Sequence, residues 1–398
     1  MARLRTLDDL DLQNRRVVVR ADLNVPLENG VVRDATRIER LIPTLERLLG
    51  EGALIVVLSH FGRPAGKVVP QMSLAPVAPA LAKALGHPVR FVETDWRDDR
   101  AAAAVADAHP GDILLMENTR FHPGETANDE TLAARFAALG DAFVNDAFSV
   151  AHRAHASTVG IAKLLPSAAG LAMAGEIAAL QSCLDDPVHP VVALVGGAKI
   201  SSKLPVLEAI SRKVDTLIIG GGMANTFLAA LDKPVGKSLC EHDLTDTARQ
   251  VLNQSMGAGC TVILPDDVVV AREFKANAGT ETLGVDEVGA DDMILDVGPR
   301  TVDRIIAIFE QARTLLWNGP LGAFETTPFD AGTNAAARAA ARFTESGKLT
   351  SVAGGGDTVA ALANAGVVDR FSYVSTAGGA FLEWLEGREL PSVAVLQG

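Results

Sequence analysis

Residues 191–199 read Val191-Val192-Ala193-Leu194-Val195-Gly196-Gly197-Ala198-Lys199, five apolar residues in succession and then a glycine pair. A strand apolar at every position needs cover on both faces, which is the situation of a parallel sheet between helices rather than of a half-exposed one. The same reading applies along the chain. In the first half the runs are RVVVR (16–20), ALIVVL (53–58), Val89–Val92, DILLM (112–116) and Ala142–Asn145. In the second they are Val191–Val195, Thr216–Ile219, Thr261–Leu264, Thr314–Trp317, Thr350–Ala353 and Ser372–Ser375. Amphipathic stretches such as Thr36–Leu49 and Asn334–Phe343 lie between them. The fold class is α/β.

A single sheet of eleven strands would be unusual, whereas five or six per half match one doubly wound sheet. The expected architecture is therefore two doubly wound domains, each a parallel six-stranded sheet with helices on both faces, joined by a hinge helix. The first domain is placed at 1–168 with a returning tail at 381–398, the connecting helix at 169–186, and the second domain at 187–380. The stretch LLPSAAGLAMAGEIAALQSCLDDPVHP (164–190) supplies that Pro-bounded connection.

The 398 residues are 48% hydrophobic and 21% charged, a composition that supports sizeable cores and is unlike that of a disordered chain. The formal charge of −13 argues against broad attraction to nucleic acid or anionic lipid. Cys183, Cys240 and Cys260 form neither a disulfide framework nor a metal-ligand spacing, which points to a reducing compartment. The N-terminal MARLRTLDDLDLQ has acids where a signal peptide needs an apolar core, and no apolar run approaches ~18 residues. A soluble cytoplasmic protein without membrane partners is expected.

Ligands of such sheets sit beyond the carboxyl ends of the strands. In the second half four of those ends are glycine-rich: Gly196-Gly197-Ala198-Lys199, Gly220-Gly221-Gly222-Met223, Gly354-Gly355-Gly356-Asp357-Thr358 and Gly378-Gly379. Glycine admits a phosphate or a flat base close to the backbone, and the N–H groups and dipole of a following helix favour an anion. These ends indicate nucleotide binding. No G-x-G-x-x-G follows a strand, and Gly236-Lys237-Ser238 lacks its upstream glycine because residue 231 is leucine.

The strand ends of the first half carry Asp22 and Asn24, His60 and Arg63, Arg120, and His152-Arg153-Ala154-His155, with Arg37 at the start of the next helix. Arginine forks suit phosphate and carboxylate, while Asp and Asn suit hydroxyls, so this set fits a small anionic ligand. The histidine pair 152/155 has no third Cys or His ligand at a recognised spacing.

At this point the chain resembles the phosphoglycerate kinase family. The resemblance is carried, in order, by VVRADLNVP (18–26), HFGRP (60–64), ENTRFHPGE (117–125), AHRAHAS (151–157), GGAKISSK (196–203), GGGMANTF (220–227), WNGPLGAFE (317–325), GGGDT (354–358) and STAGGA (375–380). It spans essentially the whole chain. Ser149-Val150 stands where the family commonly has Gly-Thr, and Ile294 stands where it commonly has glycine.

The resemblance implies reversible phosphoryl transfer between 1,3-bisphosphoglycerate and ADP, giving 3-phosphoglycerate and ATP with Mg²⁺, in a monomer. Carried over by motif, it implies that Asp22, Leu23, Asn24, Arg37, His60, Phe61, Gly62, Arg63, Arg120 and Arg153 hold phosphoglycerate. Lys203, Glu325, Gly355, Gly356, Asp357 and Thr358 would hold the nucleotide, Glu325 at the ribose, with Asp357 the metal ligand. Arg37, Lys199 and the N–H groups of Gly355 and Gly356 would stabilise the moving phosphoryl group, Arg37 and Lys199 from opposite domains. An acyl phosphate has a good leaving group, so the ATP-forming direction needs neither covalent intermediate nor general base, and His60 becomes an orienting residue. Two other readings are weighed. An NAD-dependent dehydrogenase lacks its glycine fingerprint here. A silent nucleotide sensor would have no need of Lys199 and Arg37 together.

Overall fold

The computed structural model describes residues 3–185 and 187–398. The first two residues of the expected first domain, and Asp186 at the end of the expected connecting helix, lie outside the described residues. The chain divides into two compact units, 3–177 with 389–398 and 178–388.

The first unit is a six-stranded parallel sheet in the spatial order Arg90–Val92, Ile113–Met116, Leu54–Leu58, Arg16–Arg20, Ala142–Asn145, Ser167–Ala169. Its central strand explains the unbroken apolar run: Val17, Val18 and Val19 are fully buried, with sheet neighbours on both sides. Burying each such side chain is worth roughly 1.5–3 kcal/mol. The helix Thr36–Gly50 turns Ile38, Leu41, Leu45 and Leu48 inward, a 3–4 residue spacing that lays one stripe on the core. Arg20 pairs in register with Leu58 on one side and Asn145 on the other. The loops following those three strands therefore start level along one edge.

The second unit repeats the plan, with the order Thr261–Ile263, Thr216–Ile219, Val191–Val195, Thr314–Asn318, Thr350–Gly354, Tyr373–Ser375, all parallel. Again the first strand of the unit is internal, and Val195 pairs with Ile219 and Asn318, so the glycine-rich turns leave the sheet together. Ends of neighbouring strands approach so closely that a Cβ on Gly196 would lie 1.9 Å from the Pro320 carbonyl oxygen.

Several features depart from the sequence expectation. The strand Ser167–Ala169 is made of three small residues and carries no β-branched signal. An antiparallel sheet, ordered Thr280–Gly284, Asp267–Ala271, Met293–Val297, is inserted in the second unit, and its strand Thr280–Gly284 is too polar and exposed to read as one. The connecting segment forms the helix Leu171–Leu184, and the division between units falls inside it. The returning tail begins at Glu389, not at Phe381: the ring of Phe381 packs against Gly354 of the second sheet and is fully buried. From there Leu396 O accepts from Arg5 N and Gly398 N donates to Arg3 O, which ties the tail to the first unit.

Candidate active site

In the first unit the carboxyl edge of the sheet gathers a chain of polar contacts. Arg37, on the first turn of its helix, donates from Nη1 to Asp22 Oδ1 at 2.9 Å and to the Asn24 carbonyl at 3.2 Å. Asn24 Oδ1 accepts from Gly62 N at 2.9 Å, and the Gly62 carbonyl accepts from Arg120 Nη1 at 2.8 Å. Loops from three strands are thereby locked to one another through the residues expected to bind the ligand.

Beneath them lies a buried arginine that the sequence reading left without a role. Arg20, fully buried, donates to Ser157 Oγ at 2.8 Å, to the Ala21 carbonyl at 2.5 Å and to His60 Nδ1 at 3.1 Å. A guanidinium has no acceptor, so His60 Nδ1 must be the unprotonated nitrogen and the ring proton sits on Nε2. Burial, followed by the charges of Arg20, Arg120 and Arg37, holds the His60 imidazole well below its ordinary pKa. His60 is thus a neutral donor in a positive environment. His155 is held down to about 3 by burial and by Arg20, Arg120 and Arg153. Glu125, also fully buried, is the counter-charge: it accepts from Ser157 N at 3.0 Å, Ser157 Oγ at 2.5 Å and Thr119 Oγ1 at 3.2 Å.

Arg63, Arg120 and Arg153 border one cavity of about 250 Å³, and no carboxylate is among the described residues lining it. Burial and the neighbouring guanidinium groups of Arg20, Arg153 and Arg63 lower Arg120 to about 10. Its Nε is buried without a hydrogen-bond partner among the described residues. Arg153 donates from Nε to His152 Nε2 at 3.0 Å. Like charges held together in this way favour an anion between them. Two expected residues sit differently. Leu23 is a fully buried core residue whose N–H donates to Ser59 Oγ at 3.0 Å, and Phe61 packs against the same core. Neither brings a polar side chain to a ligand.

The second unit builds its edge from backbone. A cavity of about 520 Å³ has an apolar wall that includes Leu239, Phe274, Ile294 and Phe324, and a rim with Gly197, Gly221, Glu325 and Asp357. Its size and mixed lining are those of a site for a ligand as large as a nucleotide. Ile294 stands in that wall, and its N–H donates to Ser238 Oγ at 2.8 Å. Gly355, with φ of +100°, caps the helix Gly356–Asn364, whose first N–H groups have no partner within the helix. Lys203 donates from Nζ to Asn318 Oδ1, and burial lowers its pKa, against the pull of Asp357. Asn318 in turn donates from Nδ2 to the Gly354 carbonyl at 2.7 Å.

Thr358 is buried, and its hydroxyl accepts from Gly319 N at 2.7 Å and donates to the Gly354 carbonyl at 2.8 Å, so it fastens the loop from behind. Lys199 is exposed on the loop after its strand. Asn318 lay inside the quoted WNGPLGAFE motif, and only its contacts mark it as the post that joins Lys203 to the Gly354 turn.

Doubly wound sheets whose edges carry an arginine-lined cavity in one unit and glycine-rich turns around an apolar cavity in the other are the marks of a small-molecule phosphotransferase. Comparison with known proteins agrees in detail. The family model described as phosphoglycerate kinase matches residues 7–388. A phosphoglycerate kinase of Ruegeria sp. (strain TM1040) is 60% identical over 393 residues, covering 99% of each chain. The solved phosphoglycerate kinase of Coxiella burnetii superposes with a TM-score of 0.91 at 42% identity, over 99% of both chains. That of Pyrococcus horikoshii OT3 gives 0.83 at 28% identity, over 99% of this chain and 98% of the other. The chain belongs to the phosphoglycerate kinase family.

Proposed function

We propose a division of roles for the reaction that membership of this family assigns to the chain, the reversible transfer of a phosphoryl group from 1,3-bisphosphoglycerate to ADP, giving 3-phosphoglycerate and ATP. The first unit, 3–177 with the tail 389–398, takes phosphoglycerate. Arg63, Arg120 and Arg153 clamp its phosphate, Asp22 and Asn24 meet its hydroxyl and carboxylate end, and neutral His60 donates from Nε2 to orient it. The second unit, 178–388, takes the nucleotide: Glu325 accepts from ribose hydroxyls, and Lys203 and the turn Gly355–Thr358 hold the phosphates.

Phosphoryl transfer asks for positioning, charge neutralisation and exclusion of water more than for an acid or base. Arg37 and Lys199 supply positive charge to the oxygens of the moving group, and the N–H groups of Gly355 and Gly356, at a helix start, add directed dipoles. The carboxylate leaving group needs no protonation and no covalent enzyme intermediate is required. With the two ligands assigned to different units, transfer waits on the units closing.

The family takes its nucleotide with magnesium. Among the described residues no group of three His, Cys, Asp or Glu is placed to cage a metal. What the second unit offers is Asp357, an exposed carboxylate on the first turn of the helix at the cavity rim. One carboxylate fits an ion that is shared with nucleotide phosphates and keeps its waters. When bound there, Mg²⁺ neutralises phosphate charge.

Among the described residues no helix is long and apolar enough to cross a membrane. The cysteine spacing supports a reducing, cytoplasmic setting, the negative charge supports small-molecule partners rather than nucleic acid, and the family resemblance supports a monomer. The observation that carries the functional reading is the cavity bordered by three arginines and no carboxylate. The test is ATP consumption that depends on 3-phosphoglycerate, followed by coupled NADH oxidation. Activity with the folded protein is expected, and its absence would favour a silent nucleotide binder.

A further inference from the structure

The stretch Leu295-Asp296-Val297-Gly298-Pro299 has no part in the roles above, yet Asp296 lines the nucleotide-sized cavity and is only 2% exposed. Its carboxylate sits where three elements meet. Oδ1 accepts from Val297 N at 2.9 Å within its own strand, and Oδ2 accepts from Gly332 N at 2.7 Å in the first turn of the helix Ala331–Glu345. The backbone of Gly322 lies flat on the carboxylate, so close that a Cβ there would be 2.3 Å from Oδ1.

Gly322 belongs to the loop that carries Glu325. That loop is stitched to the same two elements by Ala323 N on the Leu295 carbonyl at 2.8 Å and Leu321 N on Thr333 Oγ1 at 3.0 Å. We propose that Asp296 is a positioning residue for the nucleotide: its carboxylate joins the strand Met293–Val297, the Glu325 loop and the helix Ala331–Glu345 into one wall, and so sets nucleoside affinity. The inference rests on the assignment of the nucleotide to this cavity.

The chemistry of the joint makes it sensitive to charge. An ionised carboxylate accepts from both N–H groups, whereas a protonated one gives up part of that capacity. Burial pushes the Asp296 carboxyl up to about 7; the bonds from Gly332 and Val297 oppose this, and Asp330, the charged group facing it from the start of the helix, adds to it. The joint therefore changes state near neutral pH. As pH falls through that value the carboxylate is protonated, the wall loosens and affinity falls.

The direct test is the binding of adenosine, which has no phosphate to titrate in this range, by calorimetry between pH 6 and 8. The wild-type protein is expected to bind adenosine more weakly at pH 6 than at pH 8. Asp296→Asn places an amide NH₂ where an acceptor is needed, so affinity at pH 8 should fall roughly tenfold and lose its pH dependence, while phosphoglycerate affinity stays unchanged. Wild-type-like binding by Asp296→Asn, or an equal loss of both ligands, would overturn the proposal. Should that variant not fold, the wild-type profile decides: a flat adenosine affinity from pH 6 to 8 contradicts it. Phe274→Ala separates the two levels. If it weakens adenosine while Asp296→Asn does not, only the role of Asp296 fails; if it leaves adenosine untouched, the cavity assignment fails and the inference with it.

Discussion

The two strand edges proposed to hold the phosphorylated ligands are built of opposite materials. The first unit uses side-chain charge: Arg20 and Arg120 are buried and Arg153 half-buried, close enough to lower Arg120 and the neighbouring histidines, with Glu125 as the fully buried counter-ion. The second uses backbone: glycine turns at Gly196, Gly221 and Gly355, helix N-termini, and an apolar wall. A site made of charge is stressed before its ligand arrives, because like charges repel. A site made of backbone carries little such stress, but it tolerates no added atom where strands nearly touch. Substitutions should therefore fail in different ways in the two units.

The largest effect is expected where both edges are proposed to bring a cation to the moving phosphoryl group. Lys199→Ala and Arg37→Ala should each lower kcat by about 10³-fold with substrates saturating, since a positioned cation at developing charge is worth that order. Near-wild-type turnover in steady-state assays would break the pairing of the two edges.

Next comes the backbone edge. Gly196→Ala drives a Cβ into the Pro320 carbonyl and should cost about 3 kcal/mol or more of unfolding free energy, read from urea midpoints. Gly356, with open space at its Cβ position, is the control: Gly356→Ala should stay within about 1 kcal/mol of wild type. Equal losses at the two glycines would mean that close approach is not what shapes this edge.

On the charged edge, Arg120→Lys keeps the charge but loses the fork that reaches the Gly62 carbonyl. The KM for 3-phosphoglycerate should rise on the order of tenfold while the KM for nucleotide is unchanged. The smallest effect is on pH. His155 has a folded pKa of about 3, below its unfolded value, so the unfolded state takes up the proton first. Its contribution to stability is present above about pH 6.5 and is lost as pH falls from there toward 3. His155→Gln should lose less stability than wild type between pH 7 and pH 5 in denaturant titrations; an identical loss would show that His155 is not held neutral.

Much of this was legible in the sequence because parallel strands leave a continuous apolar signal and their ends are punctuated by Gly, Asp, Asn, His or Arg. The residues that stayed hidden are those whose meaning is a partner distant in sequence. Arg20 stood in plain view inside RVVVR, but nothing in the run tells that Ser157 and His60 bury its guanidinium. Asp296 likewise reads as a polar residue at a strand end until Gly322 and Gly332 are seen packed on its carboxylate. Leu23 and Phe61 are the opposite case: the sequence groups them with polar motif neighbours, while the structure buries the Leu23 side chain in the core and packs Phe61, partly buried, against it. The strand Ser167–Ala169 was silent because small residues carry no pattern, and it is placed by its register with Phe143–Asn145.

The central claim is that each edge serves one ligand. Calorimetry of 3-phosphoglycerate and of ADP with Arg153→Ala and Glu325→Gln tests it most directly. The account predicts that Arg153→Ala loses phosphoglycerate affinity and keeps ADP, and that Glu325→Gln does the reverse. Loss of both ligands in either variant, or the opposite assignment, would contradict it.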